Sequence, residues 1–201
     1  QAMRVKYGLD QPVLTQYINY IGSVLHGDLG TSITSNRPVA TIIMESFPIS
    51  FDLGVRAIIL AVVFGIGLGS LAAIKRGRKA DTFAMLVAVI GVSVPSFIIA
   101  ALLQFFIALK LGQSLGTYIF PVSGWTTFAS KILPPIALSF GSMATISRLM
   151  RTSMLDVLSS DYIKTAKAKG LSQKLIVWRH AIRNAVMPVI TVLGPITGSV
   201  L

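Results

Sequence analysis

Acidic side chains are scarce in this chain and cysteine is missing: 201 residues include 18 lysines and arginines, 7 aspartates and glutamates, and no cysteine. Without a thiol there is no disulfide, thiolate metal site or cysteine nucleophile, and the redox compartment stays open. Charge of either sign is thin, at 12% of residues against about 25% in an ordinary soluble domain. Apolar residues make up 53% and the mean hydropathy is +0.75, so the chain reads as an integral membrane protein. No GxxxxGK[ST] loop is present, which removes the usual phosphate cradle for ATP hydrolysis. No histidine, carboxylate or nucleophile cluster falls inside the apolar runs, which argues against a membrane-embedded enzyme. Mid-span acids, the usual coupling groups of an ion-driven secondary transporter, are also lacking. Asp52 and Asp81 stand at run edges, and Asp156 and Asp161 fall in a polar loop.

What is there is apolar length with basic punctuation. A spanning helix needs about 20 largely apolar residues. Residues 53–74 satisfy this, with Arg56 near one end where its stem can reach the headgroups. Residues 82–109 form a longer uncharged run that must tilt, kink or emerge, and Pro95 after Val94 supplies the kink. Residues 132–147 are a shorter, Ser/Thr-rich run behind Pro134 and Pro135, expected to continue as helix through Arg148 and Arg151 into water. Residues 186–201 begin a further span. The net charge of +11 raises a nucleic-acid reading, but the positive residues concentrate in blocks beside apolar spans, as the positive-inside bias requires. Lys75, Arg76, Arg78 and Lys79 form one block. Lys164, Lys167, Lys169, Lys174, Arg179 and Arg183 form the other.

Both blocks are therefore expected in the cytoplasm, with residues 110–131 outside, where Tyr118, Phe120, Pro121 and Trp125 suit an interfacial loop. Residues 1–50 then form an extracytoplasmic region, which needs a preceding segment to carry it across, so the chain is expected to be a fragment at both ends. Leu14, Tyr17, Ile18, Ile21 and Leu25 fall at helical spacing between Asp10–Pro12 and Gly27 and predict an amphipathic surface helix. A second short helix is expected from residues 36–38 through Ile42 and Ile43, before Pro48. His26 and His180 fall on opposite sides in this topology and make no metal site.

Residues 155–185 are the most specified part, a basic helix-forming island between apolar runs. Ser160 is a candidate N-cap, Asp161 favours the positive end of the helix dipole, Lys167 and Lys169 favour the other end, and Gly170 can adopt the left-handed conformation that closes a helix. Ile163, Ala166 and Gly170 share a face whose small residues would let a partner approach the backbone. Ser172 can start a second helix, in which Leu175, Ile176 and Trp178 alternate with Lys174, Arg179 and Arg183 in a pattern suited to a membrane surface. Pro188 opens the return span. These features alone fit a docking loop and an ordinary basic loop held to anionic headgroups equally well.

The segment DYIKTAKAKGLSQKLIVWRHAIRNAVMP, residues 161–188, closely resembles the "EAA" coupling loop of binding-protein-dependent ABC-importer permeases of the dipeptide, oligopeptide and nickel family. Ala166, Ala168, Gly170 and Pro188 stand at matching places. The acidic residue and first Leu-Pro of the general pattern are replaced near Thr165 and at Ile182–Arg183, as is usual in the peptide branch. GLDQPVLTQYINYIGSVLHGDLGTS at residues 8–32, PVATIIMESFP, VSVPSF around Pro95 and FPVSGW at residues 120–125 also match in order, and the first of these resembles the B-type subunit. The resemblance implies an all-α polytopic bundle of the type-I ABC importer class, with about four of six expected spans present in residues 51–201. It further implies a homologous second permease subunit, two cytoplasmic ABC ATPase subunits that use the ATP, an extracytoplasmic substrate-binding protein, and no cofactor bound here. Asp161, Tyr162, Ala166, Ala168, Lys169 and Gly170 would meet an ATPase subunit. The same family moves peptides, nickel chelates and related small solutes.

Other features have plain alternatives. FGIGLGS at residues 64–70 superficially looks like a dinucleotide loop, but it lies in an apolar run without a preceding strand, and Gly65 and Gly69 more simply allow close helix packing. Ser93, Pro95, Ser96, Gln104, Ser139, Ser142 and Thr145 are the candidate translocation path. The polar members among them could equally bond to neighbouring helices.

Overall fold

The computed structural model describes residues 11–201. They fall into two compact units, divided between Ser50 and Phe51. In the first, helix α1 covers Val13–Leu25 behind Pro12, matching the expected amphipathic helix. Asp10, expected at its start, lies outside the described residues. The helix closes where the His26 N–H donates to the Gly22 and Ser23 carbonyls and Gly27 turns the chain at φ +82°, a value glycine reaches without a Cβ clash. None of its residues is buried. Beyond it, Arg37 Nη2 donates to both Glu45 carboxylate oxygens at 2.6 and 2.7 Å.

The separate short helix before Pro48 does not exist. Helix α2 runs unbroken over 36 residues, Val39–Ile74, with Pro48 inside it. Proline removes its own N–H from the ladder and its ring crowds the carbonyl four residues back, and an apolar spanning helix can absorb both. Pro48 is one missing bond here, not a stop.

In the second unit the long helix α5, Leu133–Ser159, is the element others pack against. It extends past Arg148 and Arg151, as expected. The apolar run at 82–109 is divided into helix α3, Lys79–Ser93, and helix α4, Ser96–Leu115. The break is at Val94, whose ψ of 121° is extended, because the Pro95 ring disfavours the helical conformation in the residue before it. Within α4, residues Gln104–Lys110 form a π-helical stretch, and the helix reaches Leu115, beyond the expected end at 109. Gly116 then closes it at φ +69°.

Small residues let α2 and α3 approach α5. In α2, Ala57, Ala61, Gly65, Gly69 and Ala72 are buried. A Cβ at Gly65 would lie 2.7 Å from Ile146 Cγ2, and one at Gly69 would meet the Ser147 carbonyl and lie 2.7 Å from Met150 Cβ. A Cβ at Gly67 would meet nothing within 4 Å, so packing is the role of the outer pair alone. In α3, Ala84, Ala88 and Gly91 are buried, and a Cβ at Gly91 would lie 2.9 Å from both Ala144 Cβ and the Phe140 carbonyl. The core proper is formed by Ile146, Met150 and Met154 of α5 with Val177, Ala181, Ala185 and Val189.

Three described helices are long and apolar enough to cross a membrane: Val39–Ile74, Ser96–Leu115 and Ala129–Ser159. A fourth crossing arises if Gln173–Ala185 and Met187–Val200, bent by 46°, count as one.

Candidate functional site

The loop after α5 folds back on its own end. Ser160 stands at the N-cap position of helix α6, Asp161–Ala168, with extended backbone. Its hydroxyl does not cap the helix and instead donates to the Val157 carbonyl. That corrects the expected role, because the orientation in which the hydroxyl donates to the α5 carbonyl is not the one in which its oxygen accepts an orphan N–H. Asp161 lies in the first turn and accepts from Lys164 Nζ at 2.8 Å. The C-terminal end follows expectation. Gly170 has φ +77°, its N–H donates to the Lys167 carbonyl at 2.9 Å, and the Leu171 N–H reaches back to Ala166 at 3.2 Å. This pair of bonds is the Schellman closure.

The inward face of α6 is Ile163 and Ala166, both buried against Ile176 with Val157 beside them. Ala166 therefore packs within its own chain. A small residue is required there by the chain's own crossing, and the sequence pattern alone does not distinguish that from room for a partner. Asp161, Tyr162, Ala168, Lys169 and Gly170 are exposed. A Cβ on Gly170 would meet nothing within 4 Å, so its constraint is the left-handed backbone.

Ser172 does cap the next helix, α7, Gln173–Ala185, by accepting the Leu175 N–H at 3.4 Å. Residues Ile176–Ala181 are π-helical and place Ile176, Val177 and Ala181 inward. The expected surface-lying helix is thus half a packed one, with Val177, Ala181 and Ala185 in the main core and Trp178 67% exposed. Asn184 Nδ2 donates to Tyr162 Oη at 3.2 Å and to the His180 carbonyl at 2.8 Å, tying α6 to α7. Pro188 stands in the first turn of helix α8, Met187–Val200, where a missing N–H costs no helical bond.

The sequence places Asp81 at a run edge and Arg151 on a helix extension but does not pair them. Asp81, just ahead of the apolar run, accepts from Arg151 Nε and Nη2 and from the Gly77 N–H at 3.0 Å. The guanidinium first, then the backbone donor, hold its carboxyl down to about 2. The available signal was a lone acid beside Arg76, Arg78 and Lys79.

A groove of about 420 Å³ opens at the α3–α4 break. It brings together four of the seven path candidates, Pro95, Ser96, Ser142 and Thr145, with Gly91, Gly141 and Ser199. The other three stand apart. Gln104 Nε2 donates to the Val122 carbonyl at 2.6 Å and holds the loop after α4. Ser139 is buried and donates to the Ile136 carbonyl of its own helix. Ser93 is exposed beside the break.

These elements define an all-α, multi-pass membrane protein with a closed, exposed turn at Gly170 and a groove at a helix break. Residues 65–201 match the family described as "Binding-protein-dependent transport system inner membrane component", and the chain belongs to this family, the type-I ABC importer permeases. It is 44% identical over 207 residues to the dipeptide transport system permease protein DppB of Lactococcus lactis, covering 100% of this chain and 66% of that protein. Identity to DppB of Bacillus subtilis is 48%, over 97% of this chain and 62% of the relative. The oligopeptide transport system permease protein OppB of Escherichia coli is 40% identical, over 98% and 65%. The chain thus spans just under two thirds of the length of these curated relatives.

Proposed function

We propose that this chain is the membrane permease of an ATP-driven, binding-protein-dependent importer of di- or oligopeptides in a bacterial or archaeal inner membrane. The observation that carries the reading is the exposed turn at the end of α6, closed at Gly170 and fastened through Ile163, Ala166 and Asn184 to the return helix. In this reading Asp161, Tyr162, Ala168, Lys169 and Gly170 meet an ATPase subunit. Closure of two such subunits on ATP pushes α6, and the tie to α7 passes the displacement to α8 and α5. The subunit is not itself an enzyme and binds no cofactor, since the ATP is used by its partners. A homologous second permease completes the path, and a substrate-binding protein delivers solute from outside, where residues 1–50 lie. The groove at the Val94–Pro95 break is this subunit's share of the path.

The test uses the full-length permease co-expressed with its neighbouring subunits in a peptide auxotroph lacking its own importer. Labelled tripeptide uptake should require ATP, be blocked by unlabelled peptides, and be lost in Gly170→Asp at normal expression. Nickel uptake without peptide uptake would move the substrate within the family. Retained uptake in the variant, or ion-driven uptake without an ATPase partner, would overturn the coupling assignment.

A further inference from the structure

We propose that the junction of α2 and α5 around Arg56 and Lys131 is a binding site for an anionic phospholipid. Asp52 Oδ1 accepts from Arg56 Nε at 2.5 Å, and Oδ2 accepts from Lys131 Nζ at 3.2 Å. One carboxylate shared by two cations leaves the cluster with a unit positive charge. Among the described residues Arg56 hydrogen-bonds only through Nε, so its terminal Nη groups keep the fork that suits a phosphate. Lys131 also lies 5.5 Å above the centroid of the Trp125 ring, an aromatic of the kind that anchors at headgroup depth.

Arg56 and Lys131 line a cavity of about 260 Å³ whose remaining walls are Ile59, Leu60, Ile132, Pro135 and Ile136. Ile59 and Leu60 lie one turn further along α2 than Arg56, and Pro135 and Ile136, in the first turn of α5, follow Lys131, which ends the short turn before that helix. Charge first and hydrocarbon further along both elements is the order of a headgroup followed by an acyl chain. Both walls belong to helices long and apolar enough to cross a membrane. No residue of this cavity lines the groove at the helix break, so it is separate from the solute path. A zwitterionic headgroup carries a compensating cation that the cluster would repel, and the charge therefore selects an anionic one.

Trp125 is a built-in reporter. The full-length transporter is placed in nanodiscs carrying brominated phosphatidylglycerol or brominated phosphatidylcholine, and the quenching lost on Trp125→Phe isolates the local signal. The anionic lipid should quench at about fivefold lower mole fraction, the effect of roughly one surface charge. Asp52→Asn adds a charge and should widen the preference by about the same factor. Arg56→Gln with Lys131→Gln should abolish it while quenching by phosphatidylcholine persists, which also shows that the helices remain assembled. Equal quenching by both lipids in the unaltered protein overturns the proposal, as does an unchanged preference in the double variant. Inorganic phosphate should not relieve the quenching; relief would reassign the site to a free anion and overturn the lipid.

Discussion

Asp81 and Arg151, seventy positions apart, are joined by two near-parallel hydrogen bonds, Nε to Oδ1 at 2.7 Å and Nη2 to Oδ2 at 2.8 Å. The same carboxylate accepts the Gly77 N–H, so one buried acid fastens both the turn before α3 and the helix itself to the C-terminal half of α5.

This pair predicts an acid sensitivity. The Asp81 carboxyl is held at about 2, below its ordinary 3.8, so its contribution is complete above 3.8 and is lost as pH falls through 2. Thermal unfolding of the purified protein in detergent should lose stability over that window, and Asp81→Asn should remove this component. At neutral pH the variant should be destabilised by about 2 kcal/mol, somewhat less than a fully buried broken pair. Arg151→Lys should recover only part of the stability of the native pair, because an ammonium cannot make the fork.

Packing at the α2–α5 crossing separates three glycines. Gly65→Ala and Gly69→Ala should each destabilise by about 1–3 kcal/mol through overpacking, because the new methyl groups would press on Ile146 and on Met150. Gly67→Ala, with open space around it, should be neutral or slightly stabilising. Unfolding titrations of the three variants in mixed micelles measure the differences.

The Asn184 to Tyr162 bond should couple α6 to α7. Asn184→Ala and Tyr162→Phe should each cost about 0.5–1.5 kcal/mol, and the double variant should cost less than their sum. Amide exchange across residues 161–171 should rise in both single variants; additive effects would show that the bond carries no coupling.

Residues 1–201 contain no cysteine, so a thiol introduced at the groove is the only one in this stretch. Cysteine placed at Ser96, Ser142 or Thr145 should react with a membrane-impermeant maleimide in the resting transporter, whereas Ser139→Cys should not, since Ser139 is 4% exposed. Ser142→Arg should slow uptake of basic peptides by tenfold or more relative to acidic ones if solute passes this point.

Much of this was legible in the sequence because it is local. Gly170 closes a helix through its own conformational freedom, Ser172 caps through its own hydroxyl, and Pro95 breaks a helix by sterics acting on Val94. Harder to read are the residues whose contacts are set by something distant. Ala166 packs on Ile176, Gln104 donates to the Val122 carbonyl, and Pro48 is tolerated because the helix around it is long and apolar. Asp81 found its partner seventy residues away, beyond any periodicity. The family resemblance was legible for the same reason as the loop, since its motifs are short and contiguous.

The break at Val94–Pro95 has a consequence for what the groove can recognise. Pro95 has no N–H, so the carbonyl of Gly91, a residue of the groove lining, is denied its helical donor. At membrane depth such irregular backbone is tolerated only where protein or water meets it. The polarity of this wall is therefore partly main chain, which no side-chain substitution can erase.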